Sequence, residues 1–203
     1  KRRVASYFQR PADARITKLV SEIAKIEVRP FASALEALIL EARLIKELQP
    51  AYNVLAKDGK SFLFVTFTRD RFPRVLMTRG IGTYGPFVSG AQLREALKII
   101  RRIFPYATHT ESRSRSRSSG GSPTSSIPVC CFENQLGLCP GFRDRPAYLR
   151  SIRNIWMIFD GKTDALRKKL GREMQVASRK QEYERAHVLK RQVGALEHVR
   201  DTA

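Results

Sequence analysis

The stretch from Leu35 to Asn53 constrains the fold of this chain most, because its apolar residues recur at helical spacing. They are Leu35, Leu38, Ile39, Ala42, Ile45 and Leu48. Pro50 follows, and a proline disfavours helical geometry in the residue before it. The stretch therefore predicts a helix that turns one face to a hydrophobic core and ends before Pro50.

Glu41 is the residue of this helix that does not fit the amphipathic pattern. The residues one turn away from it are all apolar, so no basic side chain of its own helix can pair with it. They are Ala37, Leu38, Leu44 and Ile45. A carboxylate in such surroundings is costly unless it binds a cation or accepts hydrogen bonds. Two interpretations follow: the carboxylate reaches water at the edge of the helix, or it is a metal ligand.

The charge of the chain favours a polyanionic partner. The 203 residues include 38 Lys and Arg against 19 Asp and Glu, a net charge of +19. Nucleic acid is the first candidate, and an anionic membrane surface is the alternative. The sequence has no apolar run of membrane-spanning length and no signal-peptide core, so we expect no membrane partner and a cytoplasmic location. The chain starts at Lys1 inside a helical pattern, so we expect that an N-terminal piece is missing.

The remaining sequence predicts a mixed α/β fold of the α+β kind with a small antiparallel sheet. Apolar periodicity predicts further helices at residues 1–8, 13–25, 92–103, 148–159, 164–180 and 183–200. Alternating apolar residues predict a short strand at 26–31 and a β-hairpin within 57–79. Residues 82–90 are predicted to form a glycine-rich turn, residues 110–128 a flexible loop, and Trp156 a core residue.

Several segments together resemble the UvrC family, the nuclease subunit of bacterial nucleotide excision repair. Residues 38–62, LILEARLIKELQPAYNVLAKDGKSF, resemble the end of that family's GIY-YIG catalytic domain. RRVASYF lies upstream, and FPRVLMTRG and YGPFVSGAQLREALKIIRRIFP continue the resemblance downstream in the family's order. The resemblance implies a DNA endonuclease that incises on the 3′ side of damage, with damaged double-stranded DNA and UvrB as partners, within the SOS response.

The resemblance also implies a catalytic site made of four residues. Glu41 matches the glutamate that holds a single divalent ion, and an oxygen ligand suits Mg²⁺ or Mn²⁺. Arg3 matches the arginine near the scissile phosphate, Tyr7 the tyrosine one turn later, and Asn53 the asparagine that closes the site. The family's GIY and YIG tyrosines are not in this sequence, so we expect the chain by itself to be inactive as a nuclease.

By the same resemblance the chain has three parts. Residues 1–56 are the C-terminal part of the GIY-YIG domain, residues 57–163 a middle region, and residues 164–203 a UVR helical hairpin. In the middle region, basic residues are candidates for contacts with the DNA backbone: Lys57, Lys60, Arg74 and Arg79. Charges that flank a hairpin are also commonly just its solvated ends.

The C-terminal string MQVASRKQEYERAHVLKRQVGAL resembles the UVR motif, which in this family docks onto UvrB. The implied partner-binding residues are Met174, Tyr183, Glu184, Arg185, Ala186 and Leu189. A generic helical hairpin has a similar pattern. Two alternatives to the excision nuclease therefore stay open: a non-catalytic module that binds DNA and UvrB, and a GIY-YIG endonuclease of another class.

The cysteine segment 130–139 departs from the family pattern. Related proteins carry four cysteines associated with an iron–sulfur cluster, and Cys131 and Cys139 match the second and third. The fourth position is Arg143, and the first falls near His109 or in the serine-rich segment. A four-thiolate cluster needs four cysteines and the chain has three, so we expect no cluster. A Zn²⁺ ion bound through His109 is the alternative.

Overall fold

The computed structural model of the chain describes residues 2–9, 14–31, 33–52, 62–110 and 131–201. Within these ranges lie eight helices and one three-stranded sheet. The helices are α1 (Arg2–Gln9), α2 (Ala14–Glu22), α3 (Ala34–Leu48), α4 (Gly90–Ile103), α5 (Phe132–Gln135), α6 (Arg145–Phe159), α7 (Thr163–Arg179) and α8 (Tyr183–Asp201). The strands are β1 (Leu63–Phe67), β2 (Val75–Arg79) and β3 (Tyr84–Phe87). The predicted mixed fold with a small antiparallel sheet is confirmed.

Helix α3 forms as its periodicity predicts. Most of its apolar stripe is buried, with Leu35, Leu38, Ile39, Ala42 and Ile45 each at most 8% exposed. The prediction is wrong for Leu48, which lies in the last turn and is 71% exposed. Ser33 caps the N-terminus, because its hydroxyl accepts a hydrogen bond from the Glu36 amide at 3.0 Å. Gln49 ends the helix in the left-handed conformation, with φ of 44°.

The sheet is antiparallel, with β1 between β2 and β3. Leu63 pairs with Arg79 and Phe67 with Val75, which gives the hairpin predicted within residues 57–79. Residues 57–61 of that prediction lie outside the described ranges. The side chain of Val65, in the centre of β1, is fully buried under the helices.

The prediction of a glycine-rich turn at residues 82–90 is wrong, because β3 occupies Tyr84–Phe87. Gly85 has φ of +134°, a conformation that favours glycine, and it lies against Phe64 of β1. A Cβ atom at position 85 would stand 2.7 Å from Cδ1 of that ring. The glycine thus allows close approach of two strands, which turn composition alone does not reveal.

Two further local predictions are wrong. Residues 26–31 are not a strand: they have no ladder partner among the described residues, and Val28 is 83% exposed. Pro30 lacks an amide donor, which weakens strand pairing there. Trp156 is not a core residue, since it is 40% exposed. Its ring lies edge-on to Phe67 with the centroids 5.5 Å apart, so it covers the core from outside.

The C-terminal helices confirm the predicted hairpin. Helices α7 and α8 pack antiparallel around Leu166, Leu170, Ala177, Leu189 and Leu196, all of them buried. Both helices of the hairpin pack against the rest of the fold: α8 contacts α3 and α4, and α7 contacts α6. Most of the predicted loop 110–128 lies outside the described ranges, which resume at residue 131.

Candidate functional site

Glu41 lies on the solvent-exposed side of α3. In the ranges that the structure describes, its carboxylate has no ion pair and no hydrogen bond, although the buried side chains of Leu38 and Ile45 are its neighbours one turn away. The helix that carries it is fixed from its other side by the core. Glu41 therefore presents an accessible carboxylate on a rigid element, an arrangement that suits a ligand for a cation.

The other three predicted catalytic residues are only partly described. Tyr7 is half-buried in α1, and α1 contacts α2. Arg3 lies in α1, but its side chain is outside the description, and so is the whole of Asn53. The joint placement of the four residues thus stays a prediction.

A hydrogen bond connects α2 to the turn that leads toward Asn53. The hydroxyl of Tyr52 donates to Oε2 of Glu22 at 2.5 Å. This hydrogen bond to a carboxylate raises the pKa of Tyr52. The hydrogen bond links the turn after α3 to the end of α2.

A second polar network holds α3 against the sheet and against the turn after α6. Arg43 Nη2 donates to the backbone oxygen of Asp160 at 2.8 Å, and the Tyr84 hydroxyl donates to Oδ1 of Asp160 at 2.7 Å. Burial, together with that bond, raises the pKa of Tyr84 strongly, so the phenol stays neutral. These residues line a cleft of about 460 Å³. No sequence pattern indicated this network, because its members are far apart in the chain.

The predicted DNA-binding residues of the middle region lie in different settings. Arg74 pairs with Asp70 at 2.9 Å and is mostly buried, whereas Arg79 is exposed at the end of β2. Hydrogen bonds from Thr68 and Arg74 hold the pKa of the Asp70 carboxyl below its usual range. Lys57 and Lys60 lie outside the described residues. Of the described pair, Arg79 has the more accessible charge.

The predicted UvrB-binding residues lie on two sides of the hairpin. Tyr183, Glu184 and Arg185 are exposed at the start of α8, and the Tyr183 ring is 67% exposed. Met174 and Ala186 are half-buried and line a shallow groove of about 400 Å³ between α7 and α8. Leu189 is 7% exposed and packs inside the hairpin. The accessible members are therefore divided between the exposed start of α8 and the groove.

Three potential metal ligands come together near the end of α4. His109, Cys131 and Cys139 each offer a ligand atom, and these atoms all lie within 4.8 Å of one another. Sγ of Cys139 is 3.7 Å from Nε2 of His109. Cys139 is buried, and the other two are half-buried. The sequence suggested His109 as an alternative ligand, and the structure places it beside both cysteines.

One ion pair supports the segments that carry these ligands. Arg101 donates two hydrogen bonds to the Glu133 carboxylate, at 2.8 and 2.6 Å, and its Nε reaches the backbone oxygens of Tyr106 and Leu138. Thr108 donates to the same carboxylate at 3.1 Å. The bonds from Arg101 lower the pKa of Glu133. The carboxylate thus joins the segment before His109 to the segment between the cysteines.

The described residues do not fit a four-thiolate iron–sulfur cluster. They supply two thiolates and one imidazole, and the position that matches the family's fourth cysteine is the exposed Arg143. Such a cluster needs four ligands, usually all cysteines. The donor set is instead one that tetrahedral Zn²⁺ accepts.

Comparison with known proteins shows which family of domains the first part of the chain is similar to. Residues 1–54 match the UvrC-like GIY-YIG domain, and they include α1, α2 and α3 with Glu41. No solved structure matches the chain significantly. In the described ranges, no helix is both long and apolar enough to cross a bilayer.

The relatives extend this match along almost the whole chain. UvrABC system protein C of Xanthomonas oryzae pv. oryzae is 36% identical over 196 residues, which are 92% of this chain and 30% of that protein. The protein of the same name from Moorella thermoacetica is 33% identical over 207 residues, covering 97% of this chain and 32% of that protein. The predicted resemblance to the UvrC family is confirmed. The chain spans about a third of the length of these relatives.

Proposed function

We propose that this protein acts in nucleotide excision repair as a UvrC-type subunit, which incises damaged DNA on the 3′ side in complex with UvrB. The observation that carries the proposal is the exposed carboxylate of Glu41, which pairs with no basic side chain among the described residues. It lies inside the segment that matches the UvrC-like GIY-YIG domain. The net charge of +19 supports a nucleic-acid substrate.

In this proposal Glu41 would hold one divalent ion, Mg²⁺ or Mn²⁺, and the bound ion would act as the Lewis acid in phosphodiester hydrolysis. Arg3 stabilises the negative charge that develops on the phosphoryl oxygens. Tyr7 and Asn53 complete the site. The packing of α3 and the Arg43–Asp160 hydrogen bond keep the Glu41 backbone in place, which a metal ligand requires.

The catalytic part of the proposal is tested by Glu41→Gln in the complete product of the gene. Incision of a damaged duplex is measured with UvrA, UvrB and Mn²⁺. We expect a loss of at least about 100-fold, because the amide removes the charge that holds the ion. Glu47→Gln, an exposed glutamate of the same helix, is the matched control and keeps full activity. Equal incision by Glu41→Gln and wild type contradicts the metal-ligand role.

The 203-residue chain alone is expected to cut no DNA, because the GIY and YIG tyrosines are not in its sequence. The same assay, without any added segment, tests this expectation. Incision by the chain alone that disappears in Glu41→Gln contradicts it.

The partner part of the proposal is tested by binding of the chain to purified UvrB. The double variant Glu184→Lys, Arg185→Glu reverses two exposed charges at the start of α8 and is expected to weaken binding at least about tenfold. Glu95→Lys, Lys98→Glu reverses an exposed pair on α4 and serves as the matched control. Unchanged binding in the first double variant contradicts the proposed face. Binding to UvrB without incision by the complete product favours the non-catalytic module instead.

A further inference from the structure

Three soft or borderline donors from separate parts of the chain lie together at the end of α4. His109 follows that helix, whereas Cys131 and Cys139 flank the short helix α5. Their ligand atoms are all within 4.8 Å of one another. Around a tetrahedral Zn²⁺ ion, with bonds of about 2.0–2.3 Å, two ligand atoms stand roughly 3.3–3.8 Å apart. The 3.7 Å between Cys139 Sγ and His109 Nε2 already has that value.

We propose that His109, Cys131 and Cys139 bind a single Zn²⁺ ion. Two thiolates and one imidazole suit zinc better than magnesium or manganese, which prefer oxygen ligands. The two thiolates also balance the charge of the ion. His109 and Cys131 are half-buried, so a water molecule can reach the fourth coordination position.

The surroundings hold the ligands as a metal site requires. The amides of Leu138 and Cys139 donate to the Glu133 backbone oxygen at 2.9 and 3.1 Å, and the Asn134 side chain donates to the Cys139 backbone oxygen at 2.7 Å. The backbone N–H of Asn134 donates to the Cys131 backbone oxygen at 3.0 Å. Such bonds fix the orientation of ligands before the ion binds.

The remaining ligand is held by the same network. Thr108, next to His109 in the chain, donates to the Glu133 carboxylate, which also receives both hydrogen bonds from Arg101. The two segments that carry the ligands are therefore held next to each other without the ion. Zinc would only have to draw the three donor atoms together by about 1 Å or less.

The ion would close the segment 110–130 at both ends. His109 precedes this segment and Cys131 follows it, so one zinc ion joins its two termini. An ion that binds only the folded arrangement of these ligands stabilises the folded chain, because its binding free energy adds to the free energy of folding. The site is independent of Glu41 and of the proposed nuclease chemistry.

The test begins with the metal content of the tag-free chain, expressed in medium that contains both iron and zinc. We expect about one zinc ion per chain, little iron and no broad visible absorbance. Cobalt added to the metal-stripped chain should give the intense bands of tetrahedral thiolate coordination. Iron with broad visible absorbance, or cobalt bound only as a pale octahedral complex, would overturn the proposal.

Variants identify the ligands. Cys131→Ser and His109→Ala should each lose most of the zinc, whereas His109→Cys restores a three-ligand site and should retain it. His187→Ala, an exposed histidine of α8, is the control and keeps wild-type zinc. Far-UV circular dichroism checks that each variant is folded, and Cys131 is half-buried, so serine should be tolerated there. Equal zinc in Cys131→Ser and wild type would overturn the proposal.

Discussion

The Arg101–Glu133 ion pair offers the sharpest test of what holds the middle of this protein together. Glu133→Gln keeps the size of the side chain but removes its charge. The wild-type carboxylate accepts two hydrogen bonds from Arg101 and one from Thr108, at 2.8, 2.6 and 3.1 Å. The Arg101 side chain is only 12% exposed, so the variant leaves a guanidinium with little water to replace the lost partner.

The expected loss follows from these contacts. Removing one partner of a fully buried ion pair costs about 3–5 kcal/mol. The Glu133 side chain is 36% exposed, and glutamine keeps one oxygen acceptor, so the cost here is smaller. We expect the free energy of unfolding to fall by about 2 kcal/mol, close to the contribution of a charged hydrogen bond. For a protein of this size that lowers Tm by about 4–8 °C.

Urea and thermal unfolding, followed by circular dichroism at neutral pH with a chelator present, measure this loss without any contribution from bound metal. Glu95→Gln is the matched control, since Glu95 pairs with Lys98 at 3.5 Å and both side chains are more than half exposed. That exposed pair is expected to contribute less than about 1 kcal/mol. If Glu133→Gln is no more destabilising than Glu95→Gln, the reasoning from burial and geometry is refuted.

Three further predictions concern stability. Hydrogen bonds from Arg101 lower the pKa of Glu133, so the ionised carboxylate contributes its full stability above the ordinary glutamate pKa and loses it as the pH falls through the lowered value. In Glu133→Gln the free energy of unfolding should therefore fall less steeply with acid, and identical curves for variant and wild type would contradict this. Leu170→Ala, at a position 1% exposed, should cost about 2–5 kcal/mol in urea unfolding, whereas Val176→Ala, 50% exposed in the same helix, should cost less than about 0.5. Gln49→Gly, at φ of 44°, should raise the unfolding free energy by about 0.5–1 kcal/mol, and a loss would show that the Gln49 side chain matters more than its backbone strain.

The longer helices were the most predictable part of the fold, because each carries an apolar stripe long enough to show its period, whereas the four-residue α5 was not predicted. Helix α3 ends within two residues of Pro50, as the proline predicts. Strand β3 was missed for the opposite reason. Its glycine and proline read as a turn, and only the contact of Gly85 with Phe64 explains why they stand in a strand. The need for a glycine at this position comes from a neighbouring strand, so it produces no periodic pattern in the sequence around Gly85.

The candidate sites were predictable to different degrees. Glu41 stands out in the sequence because its helical neighbours are apolar, and its exposure agrees with both interpretations of that pattern. The ligand group near His109 was only suggested, since the cysteines come after a long serine-rich segment. The network of Arg101 and Glu133 was not predicted, because charged residues 32 positions apart give no sign of pairing in one sequence.

The packing of α3 has a consequence for the exchange of segments between this chain and its relatives. The UvrC-like GIY-YIG match ends at residue 54, yet the buried face of α3 lies against β3, α4 and α8, which all come later in the chain. Helix α3 therefore belongs both to the matched segment 1–54 and to the hydrophobic core that it forms with later elements. A chimera that exchanges residues 1–54 between distant relatives would inherit a foreign helix in its core, and it should misfold at the α3–β3 contact even if all four proposed catalytic residues are retained.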